Sequence, residues 1–85
     1  MPNSDLPLSV KVISPNRTIF DGTAKFILAP GKHNSLGIME NHTPMFAELV
    51  KGQLIITTDK EEVFEVEGGI VRVHNNIVTI LISNG

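Results

Sequence analysis

The chain has no cysteine, no tryptophan and no tyrosine among its 85 residues. Without cysteine it can form neither a disulfide framework nor a thiolate metal site, and it has no cysteine nucleophile. Without tryptophan and tyrosine it lacks the usual aromatic anchors of protein interfaces, and only four phenylalanines remain. The composition therefore excludes small domains that depend on disulfides or on cysteine-bound metal.

Clustered charge and long apolar runs are also missing. Seven Lys and Arg residues against nine Asp and Glu residues give a formal net charge of -2, and no basic cluster marks a nucleic-acid-binding surface. No apolar run approaches the roughly 18 residues that a membrane-spanning helix needs. Residues 1–7 have no positive charge and precede no apolar segment, so they resemble neither a signal peptide nor an Arg-rich transit peptide. We expect any membrane association to go through a protein partner.

Short stretches of period-two alternation are the main positive signal. Leu8, Val10 and Val12 alternate with polar residues, as a half-buried strand requires. About eight to ten such runs, separated by turn residues, predict an all-β domain, either a sandwich or a flattened barrel. A chain of 85 residues forms one domain, and we take residues 1–7 as a polar lead-in and residues 8–85 as the β domain.

Local patterns add three expectations about individual strands and turns. In one run, Ala24, Phe26 and Leu28 alternate with other residues and are predicted to share a face. Asn75-Asn76 predicts a two-residue hairpin turn, because Asn tolerates positive φ better than most residues. The pair Gly68-Gly69 inside a strand predicts a bulge or a close backbone approach.

Residues 28–45 interrupt the strand pattern. Pro30, Gly31, Gly37 and Pro44 all fall in this segment, and they predict an irregular connection rather than a hairpin. Long ordered connections in compact domains are usually functional surfaces. We therefore expect this segment to contain binding residues.

Catalytic chemistry is not predicted. His33, His42 and His74 match no zinc-ligand spacing, so they are interpreted as surface or turn residues. Gly68-Gly69 is not followed by the Lys-Ser/Thr pair of a phosphate-binding loop. The sequence predicts no catalytic residue, no metal ligand and no cofactor, which leaves a binding module.

Three blocks of sequence form a distinctive series. They are Ala29-Pro-Gly31 with Leu36-Gly-Ile38 and Asn41-His-Thr-Pro44, then Glu67 to Val73, then Asn76 to Leu81. The first block resembles the APG…LGI…NHAP run of the epsilon subunit of the F-type rotary ATP synthase, and the other two resemble that family's SGGFLEV…N.VTVL run. They occur in the family's order, and the resemblance extends from Leu8 to Leu81.

The resemblance implies a non-catalytic central-stalk subunit, a rotor component of a proton- or sodium-translocating ATP synthase. Its partners would be the gamma subunit and the c-ring, with the alpha/beta head reached through the complex. The membrane would be reached only through the c-ring, at the cytoplasmic face of the bacterial inner membrane or, alternatively, the stromal face of the thylakoid. A free-standing β-sandwich ligand binder, with the irregular segment as the rim of its pocket, remains the alternative.

The resemblance also implies two sets of contact residues. For the c-ring we expect Lys32, His33, Asn34, Ser35, Glu40 and His42. For the gamma subunit we expect Ser14, Met45, Phe46 and Ala47. Many family members have an acidic residue where this chain has Ser35, so Glu40 is expected to supply that charge. Apart from the resemblance, the sequence pattern favours a core position for Phe46 and an exposed position in a partner-binding patch for Met45.

Epsilon subunits usually continue beyond the last strand into a hairpin of two α-helices. Here the chain ends at Gly85, directly after the last predicted strand. We therefore expect the resemblance to cover only the amino-terminal β domain of the family. The inhibitory and ATP-binding roles of the helical hairpin are not carried over.

Overall fold

The computed structural model describes residues 6–84, and within them it contains strands and turns but no helix. The nine strands are β1 (Leu8–Ile13), β2 (Thr18–Ala24), β3 (Phe26–Pro30), β4 (Ser35–Ile38), β5 (Met45–Leu49), β6 (Gly52–Thr57), β7 (Glu61–Val66), β8 (Gly69–His74) and β9 (Ile77–Ile82). The predicted all-β class and strand number are confirmed. Most of the predicted lead-in, residues 1–5, and Gly85 lie outside the described residues. Among residues 6–84 there is no helix long and apolar enough to cross a membrane.

The strands form two separate sheets. One has the order β2-β1-β9-β8-β5 and the other the order β4-β3-β6-β7. Neighbouring strands are antiparallel except β1 and β9, which pair in parallel with Ser9 opposite Ile77 and Ile13 opposite Leu81. Because each sheet keeps two edge strands, the fold is an open sandwich rather than a closed barrel.

Branched aliphatic side chains fill the space between the sheets. Their alternation along each strand puts every second residue inside, as the burial pattern of β1 illustrates. The largest fully buried side chains are Leu8, Val10, Val12, Ile27, Ile38, Leu54, Ile56, Val66, Val71, Val73, Val78 and Ile80. Each contributes about 1.5–3 kcal/mol by leaving water, so this shared layer holds the two sheets together.

The two sheets are also joined along their edges, by an aromatic contact on one side and by backbone hydrogen bonds on the other. At the β2 and β7 edges, the rings of Phe20 and Phe64 meet edge to face with centroids 6.1 Å apart. On the β4 and β5 side, Lys32 N donates to Glu48 O at 3.0 Å and Val50 N donates to Pro30 O at 2.8 Å. These bonds tie the end of β3 to the end of β5.

The alternation of buried and outer residues shifts by one position where the chain passes from one sheet to the other. β2 ends at Ala24 and β3 begins at Phe26, with Lys25 at the crossing. Beyond the crossing, Ile27 is buried whereas Phe26 and Leu28 lie on the outer side. The prediction that Ala24, Phe26 and Leu28 share a face was wrong, because it assumed one uninterrupted strand.

Half of the segment predicted to be irregular is a β-hairpin. β4 pairs with β3, with Leu36 opposite Ala29 and Gly37 opposite Leu28. The Phe26 ring lies over Gly37, where a Cβ would come within 3.3 Å of it. Only residues 39–44 form an irregular connection, so the prediction of a non-hairpin excursion was wrong for the first half.

The paired glycines mark a close backbone approach, as predicted. Gly68 and Gly69 have φ values of 146° and 150°, a region that other residues rarely adopt. A Cβ on Gly69 would overlap the carbonyl oxygen of Leu81 on the neighbouring strand.

We predict that Gly69→Ala lowers the free energy of unfolding by roughly 2 kcal/mol or more, because strain and overlap act together. Gly22→Ala is the control, since its nearest non-neighbour atom, in the Phe20 ring, is 3.6 Å from the new Cβ. Urea unfolding followed by circular dichroism measures both. Equal stability of the two variants would contradict this account of Gly69.

Candidate partner-binding surfaces

The structure divides the predicted c-ring residues between the two ends of the β3–β4 hairpin. Lys32, His33 and Asn34 lie in the turn and Ser35 begins β4, at what we call the hairpin-turn end. Glu40 and His42 follow the other end of β4, in the 39–44 connection, which we call the connection end. Strand β4 is four residues long, about 13 Å, and the two sets lie at its opposite ends.

The register of β5 confirms that these are opposite ends of the sandwich. β5 begins at Met45, directly after the 39–44 connection, and ends at Leu49, which bridges to Gly31 beside the turn. The six residues therefore do not form one continuous surface.

The hairpin-turn end presents exposed polar side chains. Lys32, His33, Asn34 and Ser35 are all exposed. Lys32 Nζ lies 3.5 Å from Glu48 Oε1, an exposed ion pair of the kind that adds little stability. The side chains of His33, Asn34 and Ser35 make no hydrogen bond to any other residue within 6–84. Their polar groups are therefore available to a partner.

The connection end is held by contacts within the chain. Asn75 and Asn76 have φ values of 51° and 62°, which is the two-residue turn predicted from the sequence. The Asn41 amide donates to Asn76 Oδ1 at 2.7 Å, so this turn fixes the connection. His42 N donates to Met39 O at 3.2 Å. Together with Thr43 and Pro44, these Asn and His residues line an open cleft of ≈ 400 Å³.

Of the predicted gamma-contact residues, only Phe46 is mostly exposed to solvent. Its side chain is 69% exposed, so the interpretation that favoured a core position was wrong. Met45 and Ala47 point to the other side of β5 and pack against the core. Met45 and Phe46 therefore do not form the expected contiguous patch, because adjacent strand residues face opposite sides.

Ser14 is buried, with 4% of its surface exposed. Its Oγ donates to Arg17 O at 3.0 Å and accepts from Arg17 N at 3.2 Å. The hydroxyl thus closes the turn between β1 and β2. A role of Ser14 in gamma binding stays a prediction, and its side chain offers no free hydroxyl for one.

A larger apolar surface, not identified from the sequence, lies on the outer face of the five-stranded sheet. Its side chains lie on the outer side of β1, β9, β8 and β5, and we call it the apolar outer face. It consists of Ile13, Phe46, Ile70, Ile77 and Leu81. Ile13, Leu81 and Ile70 are direct cross-strand neighbours, and the row of Lys11, Thr79 and Arg72 separates them from Ile77. Phe46, Ile77 and Leu81 are 69%, 55% and 41% exposed. Such a patch on a small domain indicates a partner surface.

The signal for this surface was present in β9. Ile77 and Leu81 occupy one side of the strand while Val78, Ile80 and Ile82 occupy the other. A strand that is apolar on both sides is typical of a sheet covered on both faces. Because β9 is apolar on both sides, its sequence already indicates that the outer face of this sheet is covered by a partner.

Few polar groups lie in the interior. Ser14 is the one buried polar residue within 6–84, and no group of three or more His, Cys, Asp or Glu side chains gathers there. His33, His42 and His74 stay apart on separate turns or strand ends. The class that fold and surface define is a rigid β-sandwich with an apolar outer face and polar ends.

Residues 7–84 match the family described as ATP synthase, Delta/Epsilon chain, beta-sandwich domain. The chain belongs to this family, which confirms the resemblance noted in its sequence. It is 39% identical over 77 residues to the ATP synthase epsilon chain of Dichelobacter nodosus (strain VCS1703A), covering 88% of this chain and 54% of that protein. It is 38% identical over 79 residues to that of Synechococcus elongatus, covering 92% and 58%. The chain thus spans little more than half the length of these relatives.

Solved structures show the same fold. A chain in the central stalk and c-ring structure of Tetrahymena thermophila mitochondrial ATP synthase has a TM-score of 0.79 at 26% identity, with 92% of this chain and 64% of that chain covered. A chain in the Euglena gracilis mitochondrial ATP synthase structure of OSCP, F1 and c-ring has a TM-score of 0.84 at 16% identity, with 89% and 50% covered. At that identity the second likeness concerns the fold alone.

We predict that Leu81→Thr changes the free energy of unfolding by less than about 1 kcal/mol, because Leu81 lies on the apolar outer face. Ile80→Thr, at the adjacent buried position, should lower the free energy of unfolding by about 2–4 kcal/mol, because it removes packing contacts and buries a hydroxyl. Chemical denaturation of both variants is the measurement. A loss at Leu81 as large as at Ile80 would show that Leu81 is part of the core.

Proposed function

We propose that this domain is a non-catalytic rotor subunit of an ATP synthase, joining the gamma subunit to the c-ring. The family match over residues 7–84 is the observation that carries this proposal. The domain would be peripheral, held at the membrane by the c-ring, on the cytoplasmic face of a bacterial inner membrane or the stromal face of a thylakoid. The alpha and beta subunits would be reached through gamma.

A rotor component must pass torque between two partners without deforming. The closely packed aliphatic layer between two sheets suits this task, because well-packed interiors have low compressibility. The role needs broad surfaces rather than reactive groups, and a stable interface buries at least about 1,000 Å² in total. The apolar outer face supports such an interface.

We infer that gamma covers the apolar outer face. Phe46 would lie at its β5 edge and Leu81 on the central strand β9, with Arg72 and Lys11 in the same cross-strand row as Phe46. Aromatic and arginine side chains are common energetic centres of protein interfaces. Met45 and Ala47 would support Phe46 from the inner side of β5.

The c-ring is assigned to the hairpin-turn end. The hairpin-turn end and the connection end are opposite ends of β4, so a single flat partner would meet only one of them. The exposed side chains of His33, Asn34 and Ser35 make no hydrogen bond within residues 6–84, whereas at the connection end His42 Nδ1 lies 2.8 Å from Thr43 O and His42 N donates to Met39 O. Lys32, His33, Asn34 and Ser35 are therefore the proposed c-ring contacts, and Glu40 and His42 are not at that interface.

The alternative of a free-standing ligand binder has less support. Two clefts lined by the described residues, of ≈ 330 and ≈ 400 Å³, are open to solvent. Each lies at the lower end of the size range of small-molecule sites.

We predict that Phe46→Glu lowers the affinity for purified gamma subunit at least about tenfold, because it puts a charge in the apolar outer face. Val63→Glu is the matched control, since Val63 is 50% exposed on the outer face of the other sheet. Isothermal titration calorimetry measures both. If Val63→Glu abolishes binding and Phe46→Glu does not, gamma binds the four-stranded sheet instead.

The absence of native cysteine makes the c-ring contact directly testable by crosslinking. We predict that Ser35→Cys forms a disulfide with a cysteine placed in the polar loop of the c subunit in the assembled complex. His42→Cys should not, because a disulfide requires Cα atoms within about 7 Å. Non-reducing gels report the product. Crosslinking by His42→Cys alone would assign the c-ring to the connection end.

A further inference from the structure

Strand β5 forms an open edge of the five-stranded sheet, and its backbone groups alternate in direction. Glu48 O accepts from Lys32 N and Val50 N donates to Pro30 O, so both residues face away from β8. The N–H and C=O of one strand residue point to the same side, and those of the next residue point to the other. Phe46 N–H, Phe46 C=O and Glu48 N–H therefore face the open side.

These three groups have no hydrogen-bond partner among residues 6–84. The edge also lacks two of the features that protect edge strands from further pairing, a proline and a bulge. β5 contains no proline, and its register with β8 runs without a bulge from Met45 to Leu49. By contrast, the edge strand β7 contains three glutamates.

A cleft of ≈ 330 Å³ lies directly beside this edge. Leu36 of β4 and Ala47 of β5 line it and pack against the core, Phe46 forms one wall, and the hairpin turn closes it. An extended peptide beside β5 would direct every second side chain to the same side. The cleft can thus accept an apolar side chain from such a peptide.

We propose that an extended segment of the gamma subunit binds the open edge of β5 as an additional strand, with an apolar side chain in the cleft. Alternating backbone donors and acceptors are complementary to another extended backbone, which is the basis of strand addition. The Lys32–Glu48 bond ends the free edge on one side and Pro44 ends it on the other, so the added strand is short, about three to five residues.

The identity of the partner rests on the proposed function. Phe46 belongs both to the apolar outer face and to the wall of the cleft, so a protein that covers the face borders the edge. One gamma subunit can therefore occupy both surfaces. A small ligand could fill the cleft, but it would leave the backbone groups of Phe46 and Glu48 without strand partners.

Amide hydrogen exchange measured by NMR, on the free chain and on its complex with gamma, tests the proposal. The amides of Phe46 and Glu48 should exchange rapidly in the free chain and at least about 100-fold more slowly in the complex. The amides of Met45 and Ala47, which face β8, should be protected in both states. At the opposite edge, the amides of Asp21 and Thr23 should remain unprotected and serve as controls for general slowing.

A pair of variants at one position provides the second test. Glu48→Pro removes the outward N–H while leaving the β5–β8 bonds intact, since proline is tolerated where an edge N–H faces solvent. Glu48→Ala removes the same carboxylate and keeps the N–H. We expect Glu48→Pro to bind gamma about tenfold more weakly than Glu48→Ala, with similar melting temperatures for both.

The outcomes separate this inference from the proposed function. If gamma binds tightly but the amides of Phe46 and Glu48 stay unprotected, strand addition is wrong while the rotor proposal stands. If the unaltered chain does not bind gamma, the rotor proposal fails. If the same amides become protected without gamma while sedimentation shows a dimer, the occupant is a second copy of this chain and the inference is overturned.

Discussion

The parallel pairing of β1 with β9 is the constraint on which the surfaces of this domain depend. It joins the antiparallel pair β2–β1 to the antiparallel group β9–β8–β5, so that five strands form one sheet. The row Lys11, Thr79, Arg72 and Phe46 runs across this junction. Without the parallel ladder, Ile13 and Lys11 would be separated from the part of the apolar outer face on β9, β8 and β5. The β1–β9 ladder is therefore both a folding contact between distant segments and the basis of the proposed docking surface.

Strand β5 has three roles that follow from strand geometry. Its inner residues, Met45 and Ala47, pack on the core, and its outer residue Phe46 contributes to the apolar outer face. On the side away from β8, the Phe46 N–H, the Phe46 C=O and the Glu48 N–H remain open. A single extended segment can thus support the sandwich, present a side chain to one partner surface and offer a pairing edge. The hydrogen bonds from the hairpin turn to Glu48 and Val50 hold this strand in place at one end.

Much of the local structure could be predicted from particular residues. Alternation of Leu8, Val10 and Val12 predicted β1, and Asn75-Asn76 predicted the β8–β9 turn, because both signals act within a few residues. The glycine pair at 68 and 69 predicted a close backbone approach, which the carbonyl oxygen of Leu81 supplies. The family followed from residue blocks that recur in its members. Each of these inferences needed only local geometry or direct sequence comparison.

The sequence by itself thus determined the β class, the main turns and the family, since these depend on local periodicity and residue type. Only the tertiary structure decided which face of each strand is buried. Period two gives two faces without saying which one meets the core, and the crossing at Lys25 reverses the phase for Phe26 and Leu28. The exposure of Phe46 and the opposite positions of Ser35 and His42 likewise depend on how distant strands pair. Pairing between strands far apart in the chain is a property of the whole sandwich, and no short stretch of sequence contains it.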